Sequence, residues 1–206
     1  MKALQRTASV LFLSLVSVFL ICSSIYSQTC FIRCEPDKET GGGACGSGFF
    51  ISKNEILTAA HVINDANNVR IEFDGKYFKA FVVRQDATKD LALLRIEEEH
   101  DKFYKLSDSF GKADQKVTCF GFPRGVWTLY KSSGVIKEVN SVTRDSRYKD
   151  NPRMEYAVLM EVTNGMSGGP LLTEDKTVIG VLSSKNIIGE PRANFIALED
   201  IKKFLD

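Results

Sequence analysis

A serine flanked by glycines is where this chain offers chemistry first: Thr163-Asn164-Gly165-Met166-Ser167-Gly168-Gly169-Pro170, with Leu171-Leu172 after it and the apolar run Tyr156 to Met160 before it. A serine hydroxyl is a poor nucleophile at neutral pH. It needs a base to take its proton, and donors to hold the oxyanion that forms on attack at a carbonyl. Glycine permits the sharp turn that lets the amides of Gly165 and Ser167 converge on one point, as an oxyanion hole requires. The base is a histidine with a carboxylate behind it, and the chain has 2 histidines. His100 lies in Glu97-Glu98-Glu99-His100-Asp101-Lys102, a charged patch that reads as a solvated turn. His61 follows the strand-like run Glu55-Ile56-Leu57-Thr58, and Ala59-Ala60 leaves room for another segment to approach its ring. Most acids sit in polar runs, whereas Asp90 stands at the mouth of Leu91-Ala92-Leu93-Leu94-Arg95-Ile96, where a carboxylate can be half-buried against an imidazole. The catalytic candidates are therefore His61, Asp90 and Ser167, in that order.

That order excludes one alternative. Gly165-x-Ser167-x-Gly169 also fits the G-x-S-x-G nucleophile elbow of α/β-hydrolases, but there the histidine comes last. Here no histidine follows Ser167.

The elements that must carry these residues are short. Gly48 to Ser52, Glu55 to Thr58, Val69 to Phe73, Tyr77 to Arg84 and Leu91 to Ile96 read as strands, with Asp74-Gly75 as a hairpin turn of type I′. Helical periodicity is absent from this half. Phe103 to Asp114 is a polar connection, and a second set follows: Lys116 to Phe122, Trp127 to Glu138, Tyr156 to Val162, Gly169 to Thr173, Thr177 to Ser183 and Ala193 to Ala197. Ser141 to Arg153 is dense in charge and reads as an exposed, mobile loop. Leu198 to Leu205 has apolar residues at helical spacing. The pattern predicts an all-β protein of two small barrels with a short C-terminal helix, the first spanning 46–110 and the second 111–206. His61 and Asp90 then come from one barrel and Ser167 from the other, with substrate across the seam.

The 206 residues suit one domain or two small ones, and 44% apolar residues is ordinary for a globular chain. A formal charge of +1 gives no footprint for nucleic acid. Residues 1–27 differ in kind: Lys2 and Arg6, then an uncharged, mostly apolar run from Ser9 to Cys22, then small residues around Ser24 and Ser27. This is the pattern of a secretory signal peptide. The run is short for a spanning helix, so an exported protein (secreted or periplasmic) without a membrane segment after cleavage is the expectation. Cys22 as a lipid-attachment site is a lesser alternative, because Ile21 before it is bulky. Of 5 cysteines, Cys22 lies in this segment, leaving Cys30, Cys34, Cys45 and Cys119. In an exported chain their even number suggests disulfides, in any of three pairings. Cys30, Cys34 and Cys45 fall in a polar, Gly-rich leader over 28–45 with no core pattern. The cysteine spacing matches no zinc motif, and neither a metal nor a cofactor is expected.

Several motifs in this order carry a resemblance: Gly46-Ser47-Gly48-Phe49-Phe50-Ile51-Ser52, Leu57-Thr58-Ala59-Ala60-His61-Val62, Asp90-Leu91-Ala92-Leu93-Leu94, Gly121-Phe122-Pro123-Arg124-Gly125, Ser133-Gly134-Val135-Ile136 and the Ser167 stretch. From Gly46 to about Leu198 the chain resembles the trypsin-like (chymotrypsin-fold) serine proteases, in the bacterial HtrA/DegP-like branch. The resemblance implies two antiparallel β-barrels of chymotrypsin type and a serine endopeptidase acting on polypeptides through an acyl-enzyme. It makes His61 the base and later the acid, Asp90 the residue that orients its ring, and Ser167 the nucleophile, with the Gly165 and Ser167 amides as oxyanion hole. Around the substrate it sets Asn164, Ser183, Glu161 and Lys185. Ser183 either backs the aspartate or is a plain strand serine. Glu161 falls near the base of the primary specificity pocket and Lys185 on its wall; a free Glu161 there favours basic side chains, and a solvent-facing one favours none.

The sequence departs from the family in three ways. Met166 replaces the usual Asp or Asn before the nucleophile, so activation by binding a newly cleaved N-terminus is not expected. No PDZ domain follows the helix in this sequence, and peptide-regulated trimer behaviour is not carried over. The cysteine-bearing leader has no counterpart. The alternative function is an inert or weak relative that keeps the fold as a binding module; a lipolytic or acyl-transfer enzyme using the same residues is the third.

Overall fold

The computed structural model describes residues 28–35, 44–63, 66, 68–124, 126, 128–142, 152–186 and 189–206. They form two closed, six-stranded antiparallel barrels. The first is built from β1 (Thr29–Cys34), β2 (Cys45–Phe50), β3 (Glu55–Thr58), β4 (Val69–Phe73), β5 (Lys76–Asp86) and β6 (Leu91–Arg95), in the spatial order β1-β2-β3-β6-β5-β4. A four-residue helix, α1 (Ala60–Ile63), interrupts it after β3. The second comprises β7 (Lys116–Gly121), β8 (Tyr130–Val142), β9 (Arg153–Leu159), β10 (Pro170–Leu172), β11 (Val178–Lys185) and β12 (Arg192–Ala197), in the order β10-β11-β12-β9-β8-β7. Helix α2 (Leu198–Leu205) closes the chain.

Period-two patterning makes these strands. In β4, Val69, Ile71 and Phe73 point into the barrel while Arg70 is exposed. The turn to β5 has φ of 52° at Asp74 and 71° at Gly75, the left-handed pair that a tight hairpin needs. Closure into barrels leaves neither sheet with a free edge. Helix α2 buries Leu198, Ile201 and Phe204 and carries Glu199 and Asp200 in its first turn and Lys202 and Lys203 in its last, the polarity that suits its dipole.

Four expectations need correction. The stretch 28–45 is not a leader without core pattern: β1 pairs with β2 and β4, and Cys30 and Ile32 are fully buried in the first core. Its alternation was hidden by cysteine, which packs here as a small hydrophobe. All four described cysteines carry free thiols rather than disulfides. Cys30 belongs to the first core and Cys119 to the second, and burial pushes both thiols far up. Burial, with a contribution from neighbouring Cys45, pushes Cys34 up to about 11. His100 is not a solvated side chain, because its ring meets Phe50, Phe73 and Phe78 edge-on at 5.0–5.3 Å. Charge in the flanking residues concealed an aromatic site beneath the turn. Finally, Arg153 is not in an exposed loop but opens β9 and is 4% exposed, while Ser141 belongs to β8. The expected signal peptide at 1–27, Trp127 and most of the 141–153 loop lie outside the described residues.

Candidate active site

His61 enters the seam from α1. Asp90 sits in the turn before β6, with φ of 59°, a left-handed conformation that aspartate tolerates better than most residues. The Lys89 amide donates to Asp86 Oδ1 at 2.9 Å and shapes that turn. The Ala60 amide donates to the Asp90 carbonyl at 3.0 Å, so backbone already ties the two segments together. Asp90 then clamps His61 at two places. Its Oδ1 accepts the His61 amide at 3.0 Å, and both carboxylate oxygens lie 3.0 Å from His61 Nδ1. With a carboxylate there, Nδ1 carries the proton and Nε2 is the basic nitrogen. The ring is 47% exposed at the side chain and Asp90 only 13%, so the imidazole faces the seam while its partner lies behind it.

Ser183 completes this half. The β11 register shifts between Leu182 and Ser184, and a bulge of this kind re-aims a side chain. The Ser183 hydroxyl donates to Asp90 Oδ2 at 2.6 Å. Burial alone would raise the Asp90 carboxyl, but the His61 ring bond, its charge, the Ser183 hydroxyl and the His61 amide outweigh it and hold the pKa below the usual carboxylate range.

The Ser167 turn is anchored to the first barrel through Ser47. The Ser47 amide donates to the Ser167 carbonyl at 2.8 Å, its Oγ donates to the Gly165 carbonyl at 2.9 Å, and the Phe122 amide donates to that Oγ at 2.8 Å. Gly165 has φ of +96° and Gly168 of +83°. A Cβ at Gly168 would run into the Ser47 carbonyl and Thr58 Oγ1, and one at Gly165 into the Arg124 amide and the Phe122 carbonyl; only glycine fits. Met166 is fully buried in the second core, so apolar packing, not a charged group, holds the turn at that point.

The amides of this turn divide into two sets. Met166 N donates to the Thr163 carbonyl at 3.2 Å, Gly168 N to Leu182 at 2.7 Å and Gly169 N to Met166 at 3.0 Å. Among the described residues the amides of Gly165 and Ser167 have no protein acceptor. Nor is the Ser167 hydroxyl hydrogen-bonded to the His61 ring among them, although a Cβ at Gly168 would lie 3.1 Å from the Ala59 amide, two residues before His61.

Beside the turn lies a cleft of about 340 Å³ lined by Tyr130, Met160, Glu161, Val162, Thr163, Lys185, Asn186, Pro191 and Arg192. Glu161 is exposed, and its carbonyl accepts Ser132 Oγ at 2.6 Å. Lys185 Nζ donates to the Val162 carbonyl at 3.4 Å. Glu161 and Lys185 form no ion pair with each other among the described residues. Asn164 is exposed, with its carbonyl accepting the Arg124 amide at 2.7 Å.

Sequence reasoning missed Ser47 and Arg153. Ser47, between two glycines, carried a signal in its spacing but none of its role. The signal for Arg153 was its spacing from Glu155: two charges at the strand period, followed by the apolar run Tyr156-Ala157-Val158, point to one buried face.

Residues 46–181 match the model of the trypsin-like peptidase domain, and the chain belongs to that family. It is 32% identical over 166 residues to the mitochondrial serine protease HTRA2 of Drosophila virilis, covering 78% of this chain and 39% of that protein. It is 33% identical over 141 residues to a probable periplasmic serine endoprotease, DegP-like, of Halomonas elongata, covering 67% of this chain and 29% of that one. The chain thus spans well under half the length of these relatives. In fold it matches the active form of the Rv3671c protease of Mycobacterium tuberculosis with a TM-score of 0.81 at 24% identity, covering 90% of this chain and 82% of that structure. Among the described residues no helix is long and apolar enough to cross a membrane.

Proposed function

We propose that this chain is an exported serine endopeptidase that cleaves polypeptides through His61, Asp90 and Ser167. The observation that carries the reading is the pairing of a clamped His61–Asp90 unit with a turn whose Gly165 and Ser167 amides have no acceptor among the described residues. In this mechanism His61 Nε2 takes the Ser167 proton as Oγ attacks the scissile carbonyl. Oxygen–hydrogen contacts of this kind are often long without substrate and tighten on binding. The negative charge that develops on the carbonyl oxygen is met by the two open amides; one such donor is worth about 10² to 10³ in rate. Asp90, kept ionised, balances the imidazolium. His61 then protonates the leaving amine, and water releases the acyl group by the same steps in reverse.

Substrate preference is the finer part of the proposal. Glu161 faces the cleft without a cationic partner from Lys185, so a basic side chain finds an attractive carboxylate there. Because Glu161 is exposed, the attraction is modest. A peptide library indifferent to charge at the cleaved position removes this preference. Residues 1–27 act as the signal peptide, and the two barrels with α2 are the catalytic unit.

A second reading, an inert binding module, draws on the missing hydrogen bond between Ser167 and His61. Degradation of an unfolded polypeptide by the purified protein, with Ser167→Ala as control, separates the two. Cleavage that disappears in the variant supports the peptidase, and equal, negligible cleavage by both supports the binding module.

A further inference from the structure

Arg153 is a cation in a place where cations are rarely kept. At 4% exposure it is nearly removed from water, and a charge so buried is tolerated only when paired and hydrogen-bonded. Its donors divide between two directions. Nε donates to Glu155 Oε1 at 2.6 Å, on the same face of β9, and Nη2 lies 2.5 Å from the same oxygen. On the other side Nη2 donates to Ser183 Oγ at 2.9 Å, Nη1 to the Lys89 carbonyl at 3.3 Å, and Nη1 lies 3.5 Å from Asp90 Oδ2.

The consequence follows from counting protons. Ser183 has one hydroxyl proton, and a guanidinium can only donate. With Arg153 donating to one of its lone pairs and the Asp90 carboxylate able only to accept, the Ser183 hydroxyl gives its proton to Asp90 Oδ2, the 2.6 Å bond described above. Both neighbours of Arg153 are pinned as well. The Pro152 carbonyl accepts Lys89 Nζ at 2.7 Å, the Met154 amide donates to Asp200 Oδ2 at 2.6 Å, and Lys89 Nζ pairs with Asp200 Oδ1 at 3.2 Å. Lys89 is the residue before Asp90, so one buried set of contacts ties α2, the start of β9 and the aspartate turn together.

We propose that Arg153 is a positioning residue for the candidate active site: paired with Glu155, it fixes the Ser183 hydroxyl and the Asp90 carboxylate, and through them the His61 ring. It touches neither substrate nor the reacting atoms. Its charge also acts on the pair. The charged groups around His61 and Asp90 are Arg153 and Glu155 from β9 and, behind them, Lys89 and Asp200, which neutralise each other. Removing the guanidinium takes away a positive charge 3.5 Å from Asp90 Oδ2, which favours the imidazolium.

The proposal rests on the peptidase reading, and three variants test it with a chromogenic peptide and with an active-site fluorophosphonate. R153M/E155M removes the buried pair as a unit, a replacement that is often neutral for stability. It is expected to fold, to lose about 10- to 100-fold in kcat as the ring is set loose, and to keep KM within about twofold. R153K keeps charge without the fork and recovers part of the loss. R153Q moves the acid limb of the kcat/KM profile toward higher pH. A folded R153M/E155M with wild-type kcat, or an R153Q whose acid limb does not move, overturns the role of Arg153 while leaving the peptidase standing. Wild-type protein that never labels at Ser167 overturns the peptidase reading instead.

Discussion

His61 and Asp90 hold each other through contacts of 3.0 Å, with Ser183 added at 2.6 Å, whereas the Ser167 turn keeps two amides without an acceptor among the described residues. The two halves differ in when their charge exists. Asp90 is charged in the resting protein, so its partners are in place permanently. In the proposed mechanism an oxyanion exists only during reaction, so donors for it are left open, with Ser47 and buried Met166 supporting the turn from behind. Interactions made only in the transition state are the ones that raise kcat, and in the proposed mechanism the Ser167 turn of the second barrel makes them. Orientation is shared, with His61 and Asp90 on the first barrel and Ser183 and Arg153 on the second.

Asp90→Asn breaks the orienting half most sharply. The amide cannot hold Nδ1 in its protonated tautomer with the same strength, and kcat is expected to fall about 10⁴-fold with the fold intact by circular dichroism. A loss of less than tenfold means that His61 does not depend on its carboxylate.

Ser47→Ala sharpens the other half. It removes one buried hydrogen bond at 2.9 Å and one part-buried at 2.8 Å, and leaves the Gly165 carbonyl without the Ser47 donor, a cost of about 1–3 kcal/mol in denaturant unfolding. With the turn loosened, kcat should drop while KM holds; the opposite split, KM raised and kcat kept, means that Ser47 shapes substrate binding instead.

The smallest effect is in acid. The Asp90 carboxyl is held below its ordinary value of 3.8, so its contribution to stability is fully present above that pH. It is lost only as pH falls through the lower folded value. The stability gap between wild type and Asp90→Asn should close as pH falls below about 4. A gap that closes between pH 5 and 7 assigns the linkage to another group.

Legibility in the sequence followed locality. Strand period, the Asp74-Gly75 turn and the glycines around Ser167 are local signals, and they predicted two barrels and the segments that meet at the seam. What depended on distant partners was hidden. β1 reads as polar and cysteine-rich until β2 and β4 supply its neighbours, and His100 reads as charged surface until Phe50, Phe73 and Phe78 close around it. Arg153 reads as loop because its pairing with Glu155, Ser183 and Asp90 joins both barrels. Met166 reads only as a departure from the family, and its full burial is a property of the assembled core.

One measurement reaches the central claim directly: reaction of the folded protein with a fluorophosphonate, followed by mass mapping of the adduct. A single adduct on Ser167, absent in Ser167→Ala and slowed about 10³-fold or more in His61→Ala, is the predicted result. No adduct on Ser167, or one that forms equally fast without His61, contradicts it.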